Sequence, residues 1–142
     1  MAEAGTTAAR PTGRGFGRVL VAVYGIFALS ATARSAYQIA TKFHEAPLAY
    51  LLSALAAVVY IVATVSLARG DARSRRVATV AISIELVGVL VVGAASVAFP
   101  DAFPDAAVWS GFGSGYGFVP VVLPLVGLWW LYRTRPVKPT VE

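Results

Sequence analysis

The chain has 142 residues, 58% hydrophobic and 13% charged, with a mean hydropathy of +0.72. A soluble domain, with charged residues near about 25%, is excluded. The net charge of +5 comes with one histidine and no cysteine, which removes disulfides, thiolate metal sites, cysteine nucleophiles, thiol-linked lipid anchors and bis-histidine haem.

Four apolar stretches, at about 19–41, 47–68, 77–99 and 109–132, approach or exceed the ~20 residues that cross a bilayer as a helix. They predict an all-α, polytopic membrane protein with four transmembrane helices in one domain, residues 16–135. Residues 1–15, rich in Ala, Gly, Thr and Arg, read as a disordered tail, and 136–142 as a second tail. Arg10, Arg14 and Arg18 precede the first span, Arg69, Arg73, Arg75 and Arg76 fill the second connection, and Arg133, Arg135 and Lys138 follow the fourth span. Lys and Arg in short loops stay in the cytoplasm, so both termini are expected there, in a bacterial plasma membrane. The sequence pI of about 10.0 therefore calls for no nucleic-acid partner. The basic residues suit anionic lipid headgroups at the cytoplasmic face, each worth about 1 kcal/mol near the surface.

The first span opens with Val19, Leu20 and Val21. The Ala31-Thr32-Ala33 pattern fits the plan of a signal-peptide cleavage site. Cleavage would leave three spans and an external N-terminus, so the segment is expected to stay as a span. Arg34 lies eight residues before Lys42, ~12 Å inside that end. It can snorkel outward, but Ser30, Arg34, Tyr37, Gln38 and Thr41 recur at three- and four-residue spacing and form a polar stripe expected to face helices or water.

Pro47 suits the first turn of the second span. Tyr50, Ser53, Ala57, Tyr60 and Thr64 make a mildly polar stripe there, suited to close packing and interhelical hydrogen bonds. In the third span Ala81, Glu85, Gly88, Val92 and Ser96 share a mostly small face, and Val80, Ile84, Val87 and Val91 a bulky one. The small face admits a neighbouring helix, so Glu85 should point into the bundle. An intramembrane acid is costly and is paired, protonated or functional. Glu85 lies nine residues beyond Arg76, and Tyr60 nine before Arg69, so both sit ~13 Å from the cytoplasmic end and are expected at one level. Arg34 is expected within ~5–10 Å of Glu85 along the membrane normal, in a core ~30 Å thick, close enough to pair. The candidate intramembrane polar cluster is thus Arg34, Tyr37, Gln38, Ser53, Tyr60 and Glu85.

The third connection repeats Phe-Pro-Asp-Ala, at 99–102 and again at 103–106. Phe99, Phe103 and Trp109 suit the outer interface. Asp101 and Asp105, with His44 and Glu45 of the other outer loop, match no metal-binding spacing and read as solvated charges. Gly111, Gly113, Gly115 and Gly117 alternate with larger residues before Pro120 and Pro124. A helix from Pro120 to Tyr132 is only ~20 Å long, so the glycine segment is expected to enter the membrane as a loop or distorted helix packed on the other spans. A continued helix with Gly111/Gly115 and Gly113/Gly117 as packing pairs is the alternative.

The blocks ATARSAYQIATKFHEAPLAYLLSALAAVVY and GFGSGYGFVPVVLPLVGLWWL resemble small four-helix membrane proteins of actinobacteria. That resemblance implies the topology over most of the chain and no activity, cofactor or catalytic residue. No phosphate-binding glycine loop, zinc-protease helix or serine–histidine constellation is present in the sequence. The expected role is a non-enzymatic accessory or scaffold subunit, in a homo- or hetero-oligomer and without a cofactor. The alternative is a small transporter or channel component using Arg34, Tyr60 and Glu85.

Overall fold

The computed structural model describes residues 12–134. Among them four helices, α1 (Thr12–Lys42), α2 (Pro47–Arg69), α3 (Ala72–Ala98) and α4 (Val119–Arg133), are joined by 3-10 turns at Phe43–Glu45, Pro100–Ala102 and Ser110–Tyr116, and there is no strand. Helices α1 to α3 are each long and apolar enough to cross a membrane; Ser110–Tyr116 and α4 meet that test only as a pair bent by 97°. The chain is a helical membrane protein.

Local chemistry sets the helix ends. Pro47 opens α2, where its missing N–H costs nothing. Gly70 closes α2 at φ 72°, and its N–H donates to the Ser66 carbonyl, in a left-handed conformation that glycine adopts without strain. Asp71 then caps α3, accepting from the Ser74 hydroxyl at 2.7 Å and the Ser74 N–H at 3.3 Å. Those two bonds, the hydroxyl's above all, hold the exposed Asp71 carboxyl below the usual carboxylate range.

α1 begins at Thr12, seven residues before the expected span. Residues 12–15 are therefore helical rather than part of a disordered tail. Residues 1–11 and 135–142, which hold the rest of both expected tails, lie outside the described residues. Tertiary packing supports the longer helix. Phe16 meets Trp129 edge-on at 6.2 Å, and Trp130 covers Gly17 so closely that a Cβ there would come within 2.6 Å of the indole.

The same contacts bring the start of α1 beside the end of α4. Arg75 adds a second tie, donating to the Leu131 carbonyl and to Thr134 Oγ1, both at 2.9 Å. The described start of α1, the α2–α3 connection and the end of α4 thus share one end of the bundle. The α1–α2 connection and Asp105 share the other, where Lys42 Nζ lies 3.6 Å from Asp105 Oδ2.

The core faces follow residue size. On α3 the buried positions include Ala78, Ala81, Ile82, Glu85 and Val89, while Val80, Ile84, Val87 and Val91 are exposed. Gly88 is filled from an unexpected direction. Trp109, expected at the outer interface, is inside the bundle with 2% exposure, its ring against Gly88. Ala107 and Val108 are buried beside it, so the connection before α4 is part of the core.

Gly88→Ala should destabilise the protein by about 1–3 kcal/mol, because its new Cβ would lie 2.4 Å from Trp109 Cζ3. Gly25→Ala, whose Cβ would meet only Thr64 Cγ2 at 3.7 Å, should be tolerated. Thermal unfolding of both variants in detergent measures the contrast; equal midpoints would remove Trp109 as the constraint on Gly88.

Candidate functional site

Glu85 is fully buried in the middle of α3. Its partner comes from α1: the Tyr24 hydroxyl donates to Glu85 Oε1 at 2.7 Å. Glu85 Oε2 is buried and has no hydrogen-bond partner among the described residues. No basic side chain of the described residues lies within ion-pairing distance of this acid.

The expected pairing of Glu85 with Arg34 is therefore corrected. Tyr24 and Arg34 are ten residues apart on α1, ~15 Å along the axis. Because Glu85 stands at the level of Tyr24, Arg34 is out of reach. Depth counted from opposite ends of a fixed ~30 Å core misses this offset, since α1 and α3, with 31 and 27 residues, are longer than that core.

Tyr60 reaches the same core without bonding to Glu85. Its hydroxyl accepts from Trp109 Nε1 at 2.9 Å, and its ring lies 6.2 Å from Tyr24 and 5.6 Å from Phe27. Phe27 is also 5.6 Å from the Tyr116 ring. Tyr116 belongs to the next layer, where Arg34 donates to its hydroxyl at 2.6 Å and lies over its ring at 5.7 Å. Arg34 also donates to the Ala106 carbonyl at 3.4 Å.

The other candidates scatter. Ser53 is buried and accepts from the Val108 N–H at 3.1 Å, anchoring the inserted connection to α2. Gln38 is buried, with Oε1 unpartnered among the described residues. Tyr37 is 65% exposed on the opposite side of α1, which removes it from a shared inward stripe. The single cluster thus becomes an inner Tyr24–Glu85 pair, a middle Tyr60–Trp109 pair and an outer Arg34–Tyr116 pair, with aromatic rings between them.

The glycine segment is irregular. Gly111, Phe112 and Gly113 all have positive φ inside the 3-10 stretch, and Gly117 and Phe118 follow with φ of 65° and 61°. Phe112 is held there by its seat against Gly93, where a Cβ would come within 2.3 Å of the ring. The Ser96 hydroxyl accepts from the Gly111 N–H at 2.8 Å, and Pro120 and Pro124 are buried.

Asp105 collects the outer end. Tyr50 donates to Oδ2 at 2.9 Å. That bond, aided by the Ala106 N–H and the Lys42 charge and opposed by partial burial, holds its carboxyl below the usual range. His44, Glu45, Asp101 and Asp105 do not gather into a group of three or more, and no such His, Asp and Glu group exists among the described residues. No residue set here can be assigned to a metal or cofactor.

Three residues central to this arrangement escaped the sequence reading as polar partners, Tyr24, Trp109 and Tyr116, while Tyr50, expected to hydrogen-bond, finds Asp105, which had read as a solvated charge. For Tyr24 a signal existed, since it lies six residues beyond Arg18, ~9 Å deep, and a phenol can close the remaining step to Glu85. For Trp109 and Tyr116 there was none, because only the fold turns their connection inward. No family model, curated protein or solved structure matches the chain.

In a double-mutant cycle in detergent, Tyr24→Phe and Glu85→Ala should be coupled by about 1–3 kcal/mol, the cost of leaving one buried partner unsatisfied. Arg34→Ala and Glu85→Ala should add. Coupling of the second pair, or additivity of the first, would contradict the layer assignment.

Proposed function

We propose that this protein is a non-enzymatic accessory or scaffold subunit of a bacterial plasma-membrane assembly. In this reading the bent segment and α4 form a fourth traverse, and both termini are cytoplasmic. The Arg69–Arg76 end, with four arginines, faces anionic lipid headgroups, and the opposite end faces outward.

The observation that carries this reading is an apolar groove between α2 and α3. Two clefts of about 480 and 580 Å³ share Leu55, Val80 and Ile84 and together run from Arg76 to Val92. That is sixteen residues, ~24 Å along α3, most of the ~30 Å hydrocarbon core. A groove this long gives a partner helix contact on two sides, which is what drives helix association where lipid is as apolar as the side chains. Meanwhile most buried polar side chains are spent on holding the bundle together.

A photo-crosslinker at Val58 or Val87, exposed near the groove, should capture a second chain reproducibly in native membranes. One at Val122, exposed on α4, should not. Mass spectrometry of the adduct then tells a second copy from a different subunit, and equal or absent capture at all three positions counts against the reading.

A second reading, a small transporter component, is favoured by the unpartnered Glu85 Oε2 in the core. Such an oxygen retains capacity to take a proton or a cation. Glu85→Gln should then alter proton-linked flux in proteoliposomes while the variant stays folded; unchanged flux removes Glu85 from transport.

A further inference from the structure

Arg34 is a half-buried cation in a membrane helix with no carboxylate within ion-pairing distance among the described residues. Its acceptors, the Tyr116 hydroxyl and the Ala106 carbonyl, are both neutral. Asp105, the nearby acid, is spoken for by Tyr50 and Lys42. Two of the five guanidinium N–H groups are used in those bonds, leaving three to donate. Asp105 feels the Arg34 charge without touching it; a partly desolvated charge with no carboxylate in contact is costly, and here it borders open space.

That space is a cleft of about 380 Å³ at the end of the bundle that carries Asp105. Arg34, Tyr116, Ser110 and Ser114 line it, together with the apolar Phe103 and Val97. Ser110 Oγ accepts from the Ala107 N–H at 2.8 Å and keeps its own proton to donate. Ser114 is exposed at the mouth, and its hydroxyl makes no hydrogen bond within the described residues. Donors thus approach one small volume from α1 and from the 3-10 segment. A tetrahedral phosphate offers enough acceptor oxygens for the guanidinium and both hydroxyls at once.

We propose that this cleft binds a phosphate group through Arg34, with the Ser110 and Ser114 hydroxyls as further donors. The inference is independent of the α2–α3 groove, which lies elsewhere. The phosphate can belong to a lipid headgroup in the adjacent leaflet or to a free solute, and these sources share the same chemistry.

Gly115 supplies a test that leaves the fold intact. It lines the cleft, and a Cβ built on it meets nothing within 4 Å. Thermal unfolding of the full chain should be followed in phosphate-free maltoside detergent at constant ionic strength. Inorganic phosphate is titrated in one arm and phosphatidylglycerol is added to the micelles in the other. Stabilisation in the first arm identifies a free phosphate, and stabilisation in the second alone identifies a lipid headgroup.

In the responding arm, Arg34→Gln should weaken apparent affinity roughly ten- to hundredfold, the worth of one charge-assisted hydrogen bond. Gly115→Asp should weaken it comparably by repulsion, and the isosteric Gly115→Asn should weaken it far less. If Arg34→Gln fails to fold, the Asp and Asn pair decides. No stabilisation in either arm, or stabilisation indifferent to Gly115→Asp, overturns the proposal.

Discussion

Trp109 seated on Gly88 is the contact on which the rest of this arrangement depends. α4 has fifteen residues, ~22 Å, too short to cross a ~30 Å hydrocarbon core alone. The preceding connection contributes its own backbone to the interior of the bundle, where Ala107, Val108 and Trp109 are buried and irregular backbone needs partners for its polar groups. Gly88 and Gly93 make room for it by leaving hollows on α3 for the rings of Trp109 and Phe112. Ser53 and Ser96 then accept the N–H groups of Val108 and Gly111, so the inserted chain is satisfied by side chains rather than by water. The left-handed conformation of Phe112, about 1–2 kcal/mol, is offset by the seat of its ring against Gly93.

The inserted connection also explains how the polar groups are distributed. By delivering Trp109 to Tyr60 and Tyr116 to Arg34, it engages the Tyr60 hydroxyl away from Glu85 and gives Arg34 a partner at its own level. The acid is left to Tyr24 alone. Rings of Phe27, Tyr60 and Tyr116 lie between the charged levels. The arrangement opposes one continuous polar path and favours separate roles: Glu85 inside the bundle, and Arg34 at a cleft near the end that carries Asp105.

Much of the frame was legible in the residues. The apolar stretches of α1 to α3 are long, and the small and bulky faces of α3 separate at helical spacing, so a buried Glu85 follows from periodicity. Pro47, Gly70 and Asp71 mark their helix ends by backbone chemistry that needs no tertiary partner. The partners of Glu85 and Arg34 were another matter. Depth counting takes Arg34 from one membrane face and Glu85 from the other across a fixed ~30 Å core, and α1 and α3, with 31 and 27 residues, are longer than that core. The polar stripe through Tyr37 failed because Tyr37 is exposed, while Arg34, one turn before it, finds an aromatic ring to cover it.

The residues by themselves determined that this chain is helical, where its three long apolar helices run, and that an acid is buried in one of them. Those properties follow from hydrophobic length and periodicity, which are local and act along one helix at a time. Tertiary structure decided which tyrosine holds that acid, that Arg34 bonds a phenol and a carbonyl rather than a carboxylate, and that a tryptophan from a connecting loop belongs to the core. These depend on the relative heights of separate helices and on glycine hollows being matched to rings far away in the chain. No pattern within a single segment encodes such a match.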